Sequence, residues 1–214
     1  MFKSKLIKFL PAFLLVLSGC ATVQPYDYTK LREAAPRSIL VIPPANNSIE
    51  VNAPYSYLST ITVPLAEKGY YVFPVSVVDT FLKQNGLPTP AEMNTIPLDK
   101  VKEHIGADAV LYVTLDTWGQ KYQVISSTTV VQGSVKLVST TSGDVLWDAP
   151  LNAQYNPNSN SGSGLLGALI SAAVSQIAGS ISDNTPMVSR LANEQAFNAK
   201  KRGLLPGPYY IPQN

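Results

Sequence analysis

The stretch ADAVLYVTL at residues 107–115 is apolar at nearly every central position. A strand with one face in water alternates apolar and polar residues, whereas consecutive apolar residues suit a strand that is covered on both faces. The runs SILVI at residues 38–42 and YYVF at residues 70–73 have the same short apolar character. Residues 107–115 are therefore predicted to be a buried strand of a sheet with helices packed on it.

Helical patterns separate these strands. Over residues 53–68, apolar residues recur at steps of three and four, which predicts a helix. Helices are also predicted at residues 76–85 and 98–105, where capping and stop residues mark the ends. Pro64 is predicted to kink the first helix, and glycine residues end all three. The proline-containing residues 87–97 are predicted to form a loop.

Two long strands are predicted after the central one, at residues 122–139 and 144–155, with a bend in the first near Ser126-Ser127. Residues 140–143, TTSG, have turn chemistry between two alternating runs, which is typical of a β-hairpin. With two further helices near the C-terminus, the predicted fold class is α/β. It comprises a mixed sheet of about five strands with packed helices, plus a C-terminal helical hairpin.

The α/β domain is predicted to cover residues 37–155. Residues 20–36 lack a sustained period and are interpreted as a tether. Residues 156–164 are rich in Ser, Asn and Gly and predict a linker to C-terminal helices within residues 165–202. Residues 203–214 are proline-rich, which favours an extended tail.

Residues 1–19 have the layout of a removable export signal. Three lysines accompany a mostly apolar stretch that is too short for a membrane span, which takes about 20 apolar residues. Leu17, Ser18 and Gly19 then precede Cys20, a pattern that resembles the bacterial lipobox. In a lipobox the small residues fit the cleft of a signal peptidase, and the cysteine thiol receives a diacylglyceryl group.

Cys20 is therefore predicted to be the acylated first residue of the mature protein, held to the membrane by its diacylglyceryl and N-acyl chains. An uncleaved anchor or a buried free thiol is the alternative interpretation. The next residue is Ala21 rather than Asp, which by resemblance to the known sorting preference indicates the outer membrane. Cys20 is the only cysteine, so no disulfide can form within the chain.

The charge balance argues against nucleic acid as a partner. The chain has 16 basic and 14 acidic residues, and removal of the signal leaves 13 basic and 14 acidic residues. A nucleic-acid-binding domain would need a basic patch. Hydrophobic residues make up 45% of the chain, which suffices for a core and excludes a wholly disordered protein.

No residue pattern designates an active site. His104 is the only histidine, and no Ser or Cys motif accompanies it, so it is predicted to lie on the surface. One histidine and one acylated cysteine cannot supply a zinc site, and no nucleotide-binding glycine pattern occurs. We predict no catalytic residue, metal or cofactor. Four aspartates next to turns or strand ends are predicted to hydrogen-bond the backbone: Asp79, Asp108, Asp116 and Asp144.

The segment LLGALISAAVSQIAGSI at residues 165–181 predicts an apolar helix with a small residue at every fourth position. Such spacing lets two helices approach closely, and a helix that is apolar all round must bury both sides. Packing on its own sheet, association with a partner and a membrane span remain open. The candidate association residues are Leu165, Leu166, Gly167, Leu169, Ile170, Ser171, Val174, Ser175, Ile177 and Gly179.

Most of residues 17–182 is covered by the segments LSGCAT, PRSILVIPP, VPLAEKGYYVFPVSVVD, GADAVLYVTL, KYQVISS, SGDVLW and GSGLLGALISAAV. Together these resemble a family of Gram-negative outer-membrane lipoproteins of unknown function, typified by a meningococcal surface lipoprotein studied as a vaccine antigen. The resemblance implies a fold like the N-terminal domain of TolB. By similarity to curli-secretion-type lipoproteins it also implies a role in an envelope transport or assembly complex, and it supplies no enzymatic site.

The leading functional expectation is a lipid-anchored, non-catalytic interaction or assembly module. Its expected partner is a second copy of the chain or another envelope lipoprotein. The lipobox, the missing catalytic set and the apolar helix favour this interpretation. An envelope hydrolase with an unrecognised carboxylate site and a passive surface lipoprotein are the alternatives.

Overall fold

The computed structural model describes residues 25–123, 126–156 and 183–212. Its mixed sheet and packed helices confirm the predicted α/β class. The strands are β1 (Ser38–Val41), β2 (Ala45–Asn46), β3 (Tyr71–Val72), β4 (Ala109–Gln123), β5 (Ser126–Ser139) and β6 (Val145–Tyr155). The described helices are α1 (Thr29–Ala34), α2 (Ala53–Glu67), α3 (Val75–Gln84), α4 (Pro90–Met93), α5 (Leu98–His104) and α6 (Thr185–Phe197).

The strands lie in the order β3-β1-β4-β5-β6, and β2 pairs with β4 off this path. β1 runs parallel to β3 and β4, β2 runs parallel to β4, and the β4–β5 and β5–β6 pairs are antiparallel. The sheet therefore has six strands, where about five were predicted. The additional strand, β2, has only two residues, which is too short to produce an apolar pattern.

The parallel half of the sheet is covered on both faces, as its apolar runs predict. Ile39 and Val41 of β1 belong to one core, which includes residues of α2 and α6. Leu40 and the following Ile42 belong to a second core, which includes residues of α3, α4 and α5. β6 alternates buried and exposed residues over its second half and packs against α6, whereas β5 has consecutive buried residues at 129–131 and 137–139.

β4 continues well beyond the predicted strand. It reaches Gln123, which pairs with Ser126 at the start of β5, so the two strands form one long antiparallel pair. The predicted strand over residues 122–139 with a bend near Ser126 is therefore wrong at its start, because the chain reverses direction between Gln123 and Ser126. The predicted β5–β6 hairpin is confirmed, with the Gly143 N–H donating to the Ser139 carbonyl at 3.0 Å.

A bulge explains why the sequence pattern breaks within β4. The register shifts between Leu115 and Thr117, so Asp116 is an extra residue and the side chains beyond it change face. Trp118 thereby returns to the core, where its ring lies 6.4 Å from that of Tyr57. Opposite the bulge, a Cβ on Gly133 would lie 2.0 Å from the Thr114 carbonyl oxygen, so this position requires glycine.

Three helices differ from prediction at their ends or in their existence. α3 begins at Val75, so Ser76 lies inside the helix instead of capping it. α4 occupies part of the predicted loop and starts with a capping box between Thr89 and Glu92. α6 ends at Phe197 instead of near residue 202, and its predicted hairpin partner at residues 165–181 lies outside the described residues.

A buried polar cluster fixes α6 against α2. The Tyr57 hydroxyl donates to the Asn193 side-chain oxygen at 2.7 Å, and Thr60 and Ser189 share a hydrogen bond of 2.7 Å. The Asn193 amide also donates to the Thr60 hydroxyl at 3.3 Å, so the members of the cluster satisfy one another. Such polar contacts specify one alignment of two helices, since any slip would leave buried groups unpaired.

Asp108 joins the starts of β1 and β4. Its carboxylate accepts the backbone N–H of Arg37 at 3.1 Å and that of Ser38 at 3.2 Å, and it pairs with Lys102 at 2.8 Å. Burial raises the pKa of this carboxyl, but the hydrogen bonds from Lys102, Arg37 and Ser38 outweigh burial and leave the pKa below its ordinary value of 3.8.

We expect Asn193→Ala to destabilise the protein by about 1–3 kcal/mol, because the buried Tyr57 hydroxyl loses its acceptor. Tyr57→Phe combined with Asn193→Ala removes both partners, so the double variant should lose less stability than the sum of the losses in Tyr57→Phe and Asn193→Ala. Urea unfolding of the mature chain measures both. Strict additivity of the losses in unfolding free energy would contradict the hydrogen bond between Tyr57 and Asn193.

Asp108 should also contribute to acid unfolding. A carboxyl whose pKa is depressed in the folded state stabilises the fold above its unfolded pKa of about 4 and loses that contribution as the pH falls through the folded pKa. Asp108→Asn should therefore be less stable than wild type at pH 7, and this gap should shrink as the pH falls below about 4. Unfolding free energies measured across that range test the assignment, which a constant gap would contradict.

Candidate anchoring site

The sequence-predicted site residues lie outside the described residues. This holds for Leu17, Ser18, Gly19 and the acylation site Cys20, and also for the candidate association residues of the helix predicted at residues 165–181. The structure does describe the chain from Pro25 onward, which begins a few residues after Cys20. How that segment is held decides where the domain sits relative to Cys20.

Residues 25–36 are folded onto the domain, which differs from the predicted tether over residues 20–36. Thr29–Ala34 form α1, and Leu31 is buried in the main core at 3% exposure. Ala35 ends the helix in a left-handed conformation, with its N–H donating to the Leu31 carbonyl at 2.9 Å. Twelve residues of the predicted tether, residues 25–36, therefore belong to the folded domain.

Asp148 on β6 holds the beginning of this segment. The Tyr26 hydroxyl donates to the Asp148 carboxylate at 2.8 Å and accepts the Asp148 backbone N–H at 3.0 Å. β6 is the last strand of the sheet, so its outward backbone groups have no neighbouring strand among the described residues. The Tyr26 hydroxyl thus provides a hydrogen-bond partner for both the carboxylate and the edge N–H of Asp148.

Arg202 reaches the same residue from the C-terminal side. Its Nε donates to the Asp148 carbonyl at 2.9 Å, and its guanidinium forms an ion pair with the Asp148 carboxylate. The guanidinium carbon also lies 4.9 Å from the centroid of the Tyr26 ring, a cation–π arrangement. The Arg202 carbonyl accepts the indole N–H of Trp147 at 2.7 Å. The two ends of the folded domain therefore meet at one edge residue.

Neighbouring contacts extend this junction. The Tyr28 hydroxyl donates to the Gly203 carbonyl at 2.6 Å, and the Tyr28 ring meets that of Tyr26 edge-on at 4.9 Å. On α1, Lys30 pairs with Asp144 at 2.5 Å. We call Tyr26, Tyr28, Asp148 and Arg202 the anchoring cluster.

The chain beyond Arg202 also docks on the domain, where an extended tail was predicted. The Gly207 N–H donates to the Lys68 carbonyl at 2.7 Å. Gly69 has φ +81, and a Cβ there would lie 2.1 Å from the backbone nitrogen of Tyr210. Glycine is therefore required at residue 69 both for its left-handed backbone and for the approach of the tail.

The surroundings keep both tyrosines of the anchoring cluster protonated. Burial, followed by the hydrogen bond to Asp148, raises the pKa of Tyr26. Burial likewise raises the pKa of Tyr28. Both phenols therefore keep their O–H donors at neutral pH. The Lys30 hydrogen bond lowers the pKa of Asp144, but that pair is largely exposed and contributes little to stability.

The remaining candidate groups take part in separate local contacts. His104 is exposed at the end of α5, as predicted for a surface residue, and its Nε2 lies 3.8 Å from a Glu103 carboxylate oxygen. Among the described residues, no three His, Cys, Asp or Glu side chains are grouped so that they could hold a metal ion. No helix in the described part of the chain is long and apolar enough to cross a membrane.

Only one of the four aspartates bonds the backbone through its carboxylate in the contacts seen, and that is Asp108. The others accept hydrogen bonds from side chains: Asp79 from Lys83 at 2.7 Å, Asp116 from Asn47 at 3.0 Å and Asp144 from Lys30 at 2.5 Å. The prediction that these aspartates hydrogen-bond the backbone is therefore confirmed for Asp108 alone.

Sequence reasoning missed the anchoring cluster because its members are far apart in the chain. Tyr26 and Asp148 are separated by 122 positions, and neither belongs to a local motif. The available signal is the pair of tyrosines at Tyr26 and Tyr28. Large aromatic side chains are depleted in disordered segments, so their presence in a predicted tether indicates that the segment packs against something.

Three comparisons agree on a family. The family model described as "Putative lipoprotein GNA1162-like" matches residues 26–209. The "Putative lipoprotein NMB1124/NMB1162" of Neisseria meningitidis serogroup B is 40% identical over 205 residues, which cover 94% of this chain and 95% of that protein. The crystal structure of lipoprotein GNA1162 from Neisseria meningitidis matches with 42% identity and a TM-score of 0.56, covering 68% of this chain and 100% of that one.

We expect Tyr26→Phe to cost about 1 kcal/mol and to make residues 25–36 more accessible to protease, because it removes both hydrogen bonds to Asp148 but keeps the ring. The matched control is Tyr209→Phe, which changes a tyrosine that is 56% exposed. Limited proteolysis with mass spectrometry measures the effect. Equal cleavage of the two variants near residue 30 would contradict the proposed role of Tyr26.

Proposed function

The chain belongs to the GNA1162-like lipoprotein family, and on that premise we propose that it is a lipid-anchored, non-catalytic interaction module of the bacterial outer membrane. The observation that carries the proposal is the position of Tyr26, which is fixed to the sheet only six residues after Cys20. The family is one of lipoproteins; the acylated residue, the membrane and the partner are parts of the proposal.

Acylation of Cys20 keeps the domain close to the membrane. Six fully extended residues span at most about 20 Å. The anchoring cluster therefore stays within about 20 Å of the acylated cysteine, and the sheet edge at Asp148 lies on the membrane side of the domain. A diacylglyceryl group with an N-acyl chain binds membranes well beyond the marginal level of a single chain. No further membrane-binding element is needed.

An interaction role suits the described chemistry better than catalysis does. The anchoring cluster consists of side chains that already satisfy one another or the backbone, which leaves no free nucleophile or base in it. The Asp carboxylates and the exposed His104 stand in separate contacts. Catalytic sites instead gather such groups within hydrogen-bond reach.

The proposed partner is a second copy of the chain or another envelope lipoprotein. The apolar helix predicted at residues 165–181 remains the candidate association helix, because its sequence is apolar on every side. Ala21 after Cys20 supports sorting to the outer membrane. Attachment to one leaflet also confines all copies to a surface, which raises their local concentration and favours association.

Metabolic labelling with a palmitate analogue, followed by membrane fractionation, tests the anchor. Wild type should be labelled and recovered with outer membranes, while Cys20→Ala should be unlabelled. Ala21→Asp should be labelled but shift to inner membranes, with Ala21→Ser as the matched control. Labelled Cys20→Ala protein would contradict the assigned acylation site, and wild type recovered with inner membranes would contradict the outer-membrane assignment.

A further inference from the structure

The sequence KKR at residues 200–202 is the only run of three consecutive basic residues in the chain. It follows α6 and lies in a tight turn, residues 199–203, which we call the basic turn. The Gly203 N–H donates to the Ala199 carbonyl at 2.7 Å, and a Cβ on Gly203 would lie 2.7 Å from that carbonyl oxygen. Both lysines of the run are exposed, so the turn holds them in solvent at a defined place on the domain.

The basic turn adjoins the anchoring cluster. The Arg202 guanidinium lies over the ring of Tyr26, and the Gly203 carbonyl accepts the Tyr28 hydroxyl at 2.6 Å. Consecutive α-carbons are about 3.8 Å apart, so both lysines have their α-carbons within about 8 Å of that of Arg202. Cys20 is six residues before Tyr26. The lysines therefore lie beside the point where the chain leaves the domain toward Cys20.

The protein's own acidic side chains leave these two lysines uncompensated. All 14 Asp and Glu residues of the chain belong to the part that the structure describes. Within that part, none of them forms an ion pair with Lys200 or Lys201. Asp148, the acid of the anchoring cluster, already pairs with Arg202.

The anchored end of the domain differs in charge from the rest of the mature chain. Residues 25–34, Asp144, Asp148 and the basic turn together have five basic and four acidic residues, a net charge of +1. Of the 13 basic and 14 acidic mature residues, the remainder has eight basic and ten acidic, a net charge of −2. An anionic surface therefore attracts this end of the domain and repels the remainder.

We propose that Lys200 and Lys201 bind the phosphate groups of anionic phospholipids in the membrane that holds Cys20, and so turn the basic turn toward the bilayer. This inference rests on the proposed lipid anchor and adds orientation to it. Acyl chains in the bilayer place Cys20 at the level of the headgroups, and the anchoring cluster stays within about 20 Å of it. Anionic headgroups are therefore the negative charges that the anchor concentrates around these lysines.

The anchor makes a weak contact sufficient. Each basic residue close to an anionic membrane surface raises binding about fivefold, so two lysines contribute roughly 25-fold. The attraction falls off within about 8 Å at physiological ionic strength, so it is small for a protein that diffuses freely. Once Cys20 is in the bilayer, the contact is intramolecular and only has to select one orientation of the domain.

The first test uses the mature Cys20→Ala protein, which has no acyl chains, and measures its flotation with vesicles at about 0.01 M salt, where charges act over about 30 Å. We expect binding to vesicles of equal parts phosphatidylglycerol and phosphatidylcholine, and none to phosphatidylcholine alone. Lys200→Gln combined with Lys201→Gln should lower binding to the anionic vesicles by about tenfold or more. Equal binding to both vesicle types, as expected if these lysines instead serve an acidic protein, would overturn the proposal.

Two control variants separate local charge from net charge and from side-chain shape. Lys83→Gln combined with Lys100→Gln removes the same charge from α3 and α5, which cover the other face of the sheet, and should lower binding by less than about twofold. Lys200→Arg combined with Lys201→Arg keeps the charge and should bind like the parent protein. An equal loss in the two glutamine variants, or a loss in the arginine variant, would contradict the assignment.

The second test measures the orientation of the acylated protein in vesicles. Acylation leaves mature protein without a free thiol, so a fluorophore on Ala199→Cys reports the basic turn, and one on Ala91→Cys reports the exposed surface of α4 across the sheet. Phosphatidylglycerol should increase quenching of the Ala199→Cys label by a nitroxide on lipid headgroups, but not quenching of the Ala91→Cys label. Lys200→Gln combined with Lys201→Gln should remove this increase. Quenching of the Ala199→Cys label that does not depend on phosphatidylglycerol would overturn the proposal.

These results are separable from the anchor itself. The flotation test uses protein without acyl chains, so its outcome does not depend on acylation. Absence of palmitate labelling at wild-type Cys20, with normal flotation, would end the lipid-anchor proposal alone. Normal labelling without a preference for phosphatidylglycerol would end the headgroup contact alone.

Discussion

The hydrogen bonds at Asp148 join both ends of the folded domain to the last strand of its sheet. A sheet edge presents backbone N–H and carbonyl groups that must find water or a partner. Tyr26 from the N-terminal segment and Arg202 from the C-terminal segment supply that partner at one residue. The contact fixes where the chain leaves the domain toward Cys20. The position of the proposed anchor is a consequence of this local geometry.

The division of the sheet into two halves gives this edge its importance. In the parallel half, β1 and β4 are buried on both faces between α2 and α6 on one side and α3 to α5 on the other. In the antiparallel half, β6 alternates buried and exposed residues and packs against α6. Its exposed residues supply surface, which suits a protein whose proposed role is contact and not catalysis.

The sequence predicts the parts of this fold that depend on local pattern. The consecutive apolar residues 107–115 predict a strand buried on both faces, and the turn at residues 140–143 predicts the β5–β6 hairpin; both are confirmed. The continuation of β4 was missed because the extra residue Asp116 interrupts the alternation and moves Trp118 to the core face. The anchoring cluster was missed because Tyr26 and Asp148 lie 122 positions apart and belong to no shared local motif. α4 was predictable, because Thr89 and Glu92 have the spacing of a capping box.

The central claim is that Tyr26 and Arg202 hold both ends of the folded domain at Asp148 on β6. Amide hydrogen exchange of the mature protein, resolved by residue, measures this directly. The Asp148 amide should exchange slowly in wild type and faster in Tyr26→Phe, which lacks the hydroxyl that accepts this N–H. Rapid exchange at Asp148 in wild type, or unchanged exchange in Tyr26→Phe, would contradict the account.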